Sequence, residues 1–136
     1  MSAEMGKGAQ KRLLIVEDDA EMRRLLMDEM VEEGYNVTPA ADGSEAALLV
    51  TRQAFDLVIT DMKMPRLGGL ELLPLIRKTA GGTPVVMITA FGDWTSFIEA
   101  HERGATEFIS KPFQMQQFKD TIRRLLQRSS EGSAAL

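Results

Sequence analysis

The run Leu13-Leu14-Ile15-Val16-Glu17-Asp18-Asp19 sets a short apolar segment directly against a cluster of acids. Four consecutive apolar residues bounded by charge predict a strand buried on both faces. The pattern returns twice: Asp61 follows the segment Asp56–Thr60, and Lys111-Pro112 follows Phe108–Ser110. In an open sheet of parallel strands the carboxyl ends form one rim, and the crevice along that rim is where such sheets bind ligands. A solitary acid at a strand end reads as a solvated loop. Asp18, Asp19 and Asp61 at two ends, with Lys111 at a third, read as a site. Adjacent carboxylates raise one another's pKa unless a cation lies among them, and oxygen-seeking Mg²⁺ is their natural counterpart.

Outward from these segments, hydrophobic period gives strands and helices in turn. Met22, Leu25, Leu26 and Met30 mark a helical stripe that stops at Gly34, and Asn36–Ala40 is a polar strand whose Pro39 suits a sheet edge. Asp42 and Glu45 have capping-box spacing ahead of a helix with Ala46, Leu49 and Val50 inward. After Asp61, Gly68-Gly69 precedes a helix carrying Leu70, Leu73 and Ile76, and Gly81-Gly82 closes it before the strand Val85–Thr89. Pro74 lies inside that helical stretch and deletes a bond to the carbonyl of Leu70, which predicts a kink or a late start. A helix around Asp93–Arg103, the strand Glu107–Ile109 and a last helix with Met115, Phe118, Ile122 and Leu125 inward complete the chain. Five alternating strand–helix units call for an α/β fold, a parallel sheet covered on both faces with right-handed crossovers. The expected division is a flexible tail over residues 1–10, one domain over 11–127 and a second flexible tail over 128–136.

Composition bounds the chemistry. The 136 residues suffice for one domain, and 44% hydrophobic with 26% charged residues is ordinary for a folded chain. With no cysteine there is no disulfide, thiolate metal site or thiol nucleophile, and a single histidine, His101, excludes histidine-rich metal sites. A net charge of −4 offers no nucleic-acid footprint, and the local group Arg123, Arg124 and Arg128 reads as a solvated helix face. No apolar stretch approaches a membrane span and no signal-peptide core precedes Lys11, so a cytoplasmic location is expected.

Four marks taken together resemble the receiver domain of two-component response regulators. They are Glu17-Asp18-Asp19, Asp61-Met62-Lys63-Met64-Pro65 with Gly69, Thr89-Ala90, and Phe108 through Lys111-Pro112-Phe113. The resemblance covers about residues 11–127 and implies a flavodoxin-like (βα)5 sandwich, similar to chemotaxis regulators, with a five-stranded parallel sheet in the order 2-1-3-4-5. It implies that Asp61 accepts a phosphoryl group, that Mg²⁺ is held by Asp18, Asp19, Asp61 and the backbone carbonyl of Lys63, and that Lys111 steadies a phosphoryl oxygen. Thr89 would bond the new phosphoryl group, Phe108 would turn from exposed to buried, and the Lys111-Pro112 peptide would be cis.

The partners implied are a sensor histidine kinase or phosphotransfer protein upstream and an output protein or domain downstream. The output face would join the helix from Asp93, the strand ending at Ile109 and the last helix, with Phe91, Trp94 and Phe97 nearby. A phosphorylation-linked dimer is among the assemblies implied, and direct nucleic-acid or membrane binding is not. Such a domain catalyses its own phosphotransfer and dephosphorylation without being a classical enzyme. Lys63 and Phe91 depart from the residues common two past the acceptor and two past the threonine, and the expectation is a long-lived aspartyl phosphate. His101 reads as packing or surface. A Mg²⁺-dependent aspartyl-phosphate phosphatase is the alternative, but haloacid-dehalogenase-type phosphatases place the nucleophile after the first strand with a second Asp two residues on, whereas Asp61 is followed by Met62 and Lys63. A flavodoxin-like cofactor binder is opposed by acids where a flavin phosphate would sit. The chain reads equally as a stand-alone receiver or as one cut from a longer regulator.

Overall fold

The computed structural model describes residues 10–64, 66–90 and 92–135, with side chains as far as Arg128. Strands β1 (Arg12–Val16), β2 (Asn36–Ala40), β3 (Leu57–Asp61), β4 (Val85–Ala90) and β5 (Glu107–Lys111) alternate with helices α1 (Ala20–Glu32), α2 (Gly43–Arg52), α3 (Gly69–Thr79), α4 (Trp94–Glu102) and α5 (Met115–Ala135). All strand pairs are parallel, in the order β2-β1-β3-β4-β5. This is the doubly wound α/β architecture that the alternation of elements predicted.

The period-2 alternation of the inner strands divides the core into two layers. Leu13, Ile15, Leu57, Ile59, Val86 and Ile88 face α1 and α5, where Leu26, Met30, Phe118, Ile122 and Leu125 meet them. Leu14, Val16, Val58, Val85 and Met87 face Ala46, Val50, Leu70, Leu73, Ile76 and Ala100 on the opposite side. Pro39 lies on the edge strand β2, as a residue without an amide donor requires. Leu25, read as part of the inner stripe of α1, is instead 44% exposed. It flanks an apolar groove of about 560 Å³ with Met22, Pro112, Phe113 and Met115.

Local signals explain where the helices begin and end. Asp42 caps α2 by accepting from the amide of Glu45 at 2.8 Å, while Glu45 reaches one residue beyond the cap and accepts from Ala41 at 2.8 Å, so the expected capping box is shifted by one residue on its return bond. Gly34, at φ 98°, terminates α1. Pro74 produces no late start, because α3 runs unbroken from Gly69 to Thr79 around it. The carbonyl of Leu70, which loses its helical donor, accepts instead from Arg103 Nη1 at 2.7 Å. The last helix also passes the boundary expected at residue 127 and reaches Ala135, since no proline interrupts the sequence between Arg128 and Ala135. The exposed Arg123 and Arg124 pair with Glu33 at 3.1 Å and Glu107 at 3.6 Å, which offsets the local basic patch.

Candidate functional site

The carboxyl ends of β1, β3 and β5 converge, although β4 separates β3 from β5. Asp61 is the last residue of β3 and Lys111 the last of β5. Their side chains meet, with Lys111 Nζ 3.3 Å from Asp61 Oδ1 and 3.4 Å from Oδ2. Register places Asp61 opposite Ile88 and Lys111 opposite Ala90, so Thr89 stands on the intervening strand between those two levels. Gly69 lets the first turn of α3 lie against the end of β3, because a Cβ there would collide with the carbonyl oxygen of Asp61.

The third partner is Glu17, which stands in the first of the four marks but is not among the expected ligands. Carboxylate oxygens of Glu17, Asp18 and Asp61 all lie within 4.8 Å of one another. Of the expected pair Asp18 and Asp19, the geometry groups Asp18 with Glu17 and Asp61 and sets Asp19 apart. β1 ends at Val16, so Glu17 and Asp18 are the first residues past the strand, and Asp19 is the N-cap of α1, accepting from Met22 at 3.0 Å. Asp19 also donates its amide to Glu17 Oε2 at 3.1 Å, fixing that carboxylate in place. The signal was legible: Asp19 precedes Met22, the first apolar residue of the helical stripe, at the three-residue spacing of a cap.

Burial and mutual repulsion make the cluster a candidate site for a cation. Glu17 is 1% exposed, and burial pushes its carboxyl up to about 7, with the neighbouring Asp61 adding to the rise. Burial likewise raises Asp61 above the usual carboxylate range, opposed by the ammonium of Lys111. For Lys111 burial acts downward, yet Asp61 and Glu17 hold it above its ordinary value. Glu17 Oε1 is buried and has no hydrogen-bond partner. An orphaned, buried oxygen among three carboxylates is a hard donor set that fits a divalent cation.

The remaining expected residues lie to one side. Thr89 is buried, and its hydroxyl donates weakly to the carbonyl of Ala90 at 3.4 Å. Thr89 and Phe108 border a cavity of about 240 Å³ together with Asp93, Trp94, Phe97 and Ser110. Phe108 is half-buried against Phe97, ring centroids 4.3 Å apart, and the exposed His101 stands 6.5 Å from the same ring. Lys63 extends its ammonium to Asp93 Oδ2 at 3.2 Å, and this pairing draws the Asp93 carboxyl below its usual range. The Lys111-Pro112 peptide is cis. Phe91 and Pro65 lie outside the described residues.

Comparison with known proteins agrees with this fold. The response regulator receiver domain family matches residues 13–123. The chain is 34% identical over 119 residues to the two-component response regulator PhoP of Pseudomonas aeruginosa, covering 88% of this chain and 53% of that protein. Thus the chain spans about half the length of that curated relative. Among solved structures, the receiver domain of NtrX from Brucella abortus superposes with a TM-score of 0.79 at 33% identity, covering 85% of this chain and 98% of that one. A CheY-like receiver domain protein from Methanospirillum hungatei gives 0.87 at 28% identity, covering 90% and 98%. With the match extending from β1 into α5, the chain belongs to the response regulator receiver domains of two-component systems.

Proposed function

We propose that Asp61 accepts a phosphoryl group from a sensor histidine kinase or phosphotransfer protein, and that the resulting change of shape controls an output partner. An Asp61 carboxylate oxygen forms the new bond to phosphorus, and the bond from phosphorus to the donor's imidazole nitrogen breaks. The observation that carries this reading is the meeting of Asp61 with Lys111 at 3.3 Å beside an orphaned buried oxygen of Glu17. Lys111 neutralises charge on a phosphoryl oxygen, and the fixed β3 and β5 ends hold nucleophile and cation in place. Mg²⁺, held by Glu17, Asp18, Asp61 and the carbonyl of Lys63, would supply further charge neutralisation on the phosphoryl oxygens. Asp19 keeps its capping role. The placement of Asp61 at the end of the third strand does not favour the phosphatase alternative.

Thr89 and Phe108 share a cavity, which supports reading them as the switch pair. The output face runs over α4, β5 and α5. Its aromatic contact is assigned to Trp94, 70% exposed, with Ile98 one turn on at 56%, whereas Phe97 turns toward Phe108. Dimerisation through this face on phosphorylation is one use of it. No helix among the described residues is long and apolar enough to cross a membrane, and the proposed reading includes a cytoplasmic location. Incubation with acetyl phosphate and Mg²⁺, followed by intact mass and localisation of the adduct, tests the assignment. One phosphoryl group on Asp61 is expected, and an adduct on any other residue overturns it.

A further inference from the structure

The two ends of α4 are fastened by unequal means. At its far end each of two helices grips a carbonyl of the other's neighbourhood. Arg103, the C-cap of α4, donates Nη1 to Leu70 O of α3 at 2.7 Å. Arg77 of α3 donates Nε and Nη2 to Gly104 O, just past α4, at 3.1 and 2.7 Å, and its Nη1 to Thr83 O at 2.6 Å. Gly104 sits at φ 99° and a Cβ there would lie 3.0 Å from Arg77 Nε, so the backbone is shaped to admit the guanidinium. At the site end the link to the β3–α3 loop is the Lys63–Asp93 ion pair, with the Lys63 side chain 69% exposed.

The carbonyl that Arg103 takes is the one Pro74 leaves without a helical donor. We propose that Arg103 is a positioning residue that stands in for the amide Pro74 lacks, and that this cross-link makes the far end of α4 a pivot. The charge-assisted bond to an otherwise orphaned carbonyl resists opening, whereas an exposed ion pair contributes little and is screened by salt. Displacement at the site end therefore tilts α4 about Arg103 instead of translating it. Glu99, one turn back on α4, holds the other arm of the same guanidinium and keeps it aimed. The clamp stands independently of the phosphoacceptor assignment, while its use in switching rests on the proposed function.

A cycle of Arg103→Met and Pro74→Ala, followed by amide hydrogen exchange on the unphosphorylated protein, tests the substitution of one donor for another. The reporters are the amides of Arg103, Gly104 and Ala105, bonded to Glu99, His101 and Ala100. Arg103→Met should speed their exchange about tenfold or more, the size expected for a lost charge-assisted bond. Once Pro74→Ala restores the backbone donor, the same change should give less than about a threefold effect. An equal effect in both backgrounds overturns the proposal, since a merely structural arginine would not sense residue 74. Pro74→Ser also restores the amide and replaces Pro74→Ala should that variant fail to fold. Asp93→Ala removes both the ion pair and the side-chain acceptor of the Ser96 amide, so it should loosen Ser96 and Phe97 while leaving the last turn unchanged. Loosening of both ends together overturns the pivot. In wild type, beryllofluoride should then shift first-turn amides of α4 more than last-turn ones, with the reverse order counting against the pivot. Absence of any response to beryllofluoride refutes the phosphoacceptor assignment and leaves the exchange cycle to judge the clamp.

Discussion

Glu17 Oε1 lies 3.7 Å from the Lys111 ammonium, near enough to feel its charge and too far to receive a hydrogen bond. The lysine leans closer to Asp61, at 3.3 Å, so one cation serves two buried carboxylates and satisfies neither fully. That deficit gives the metal-free site a pH dependence.

Burial raises Glu17 from 4.5 to about 7. Between those values the unfolded chain has released the proton that the folded chain retains, so stability falls as pH rises through the window. In the presence of a chelator, urea denaturation should show a loss on the order of 2 kcal/mol from this group, levelling off above about 7. Glu17→Gln should flatten the profile. A wild-type curve that rises across the window contradicts the argument.

Substitution separates the roles of the three consecutive acids. Glu17→Ala should weaken Mg²⁺ binding roughly tenfold or more, the equivalent of about 1.5–3 kcal/mol for a charge-assisted contact. Asp19→Ser retains a capping oxygen for Met22 and should bind Mg²⁺ nearly as wild type does. Isothermal titration distinguishes the two, and equal losses would return Asp19 to the donor set.

Gly69→Ala should destabilise the protein by about 1–3 kcal/mol, the usual cost of forcing atoms into a packed site. The added Cβ would meet the Asp61 carbonyl oxygen, Met87 Sδ at 3.1 Å and Thr60 Cγ2 at 3.1 Å. Labelling by acetyl phosphate should fall with it. Gly82→Ala, with nothing within 4 Å of the new atom, should stay within about 0.5 kcal/mol of wild type. Denaturant midpoints check both.

Phe118 and Trp94 are both large and aromatic, but Phe118 is 0% exposed and Trp94 70% exposed. Phe118→Ala should therefore cost about 3–5 kcal/mol. Trp94→Ala should cost no more than about 0.5 kcal/mol. Should Trp94→Ala prove as costly as Phe118→Ala in thermal denaturation, Trp94 would be a core residue and not part of an output face.

The strands were legible because β1, β3 and β4 are buried on both faces and leave continuous apolar runs. The site was legible to the extent that strand ends are. Asp61 and Lys111 announce themselves by following apolar segments, and they meet across fifty residues of sequence. Glu17 was lost because, within a run of three acids, strand end and helix cap are divided by a single spacing, that from Asp19 to Met22. The hydrogen bond from Met22 to Asp19 resolves it. Pro74 misled for a related reason: its missing donor is replaced by Arg103, a residue that no local pattern connects to it. The extent of α5 to Ala135 was obscured by serine and glycine, which lower helix propensity without forbidding a helix.

Lys111 belongs to β5, an edge strand and the least covered of the inner-site strands, whereas Asp61 belongs to a strand buried throughout. Edge segments open at a free energy below that of the whole domain. Fraying of β5 would withdraw the ammonium while the carboxylates stay in place, leaving their mutual repulsion unanswered. Competence to be charged with phosphate would then track the closing of one margin of the sheet and not the melting temperature of the molecule. A chain that looks folded by circular dichroism could still be silent as a signal.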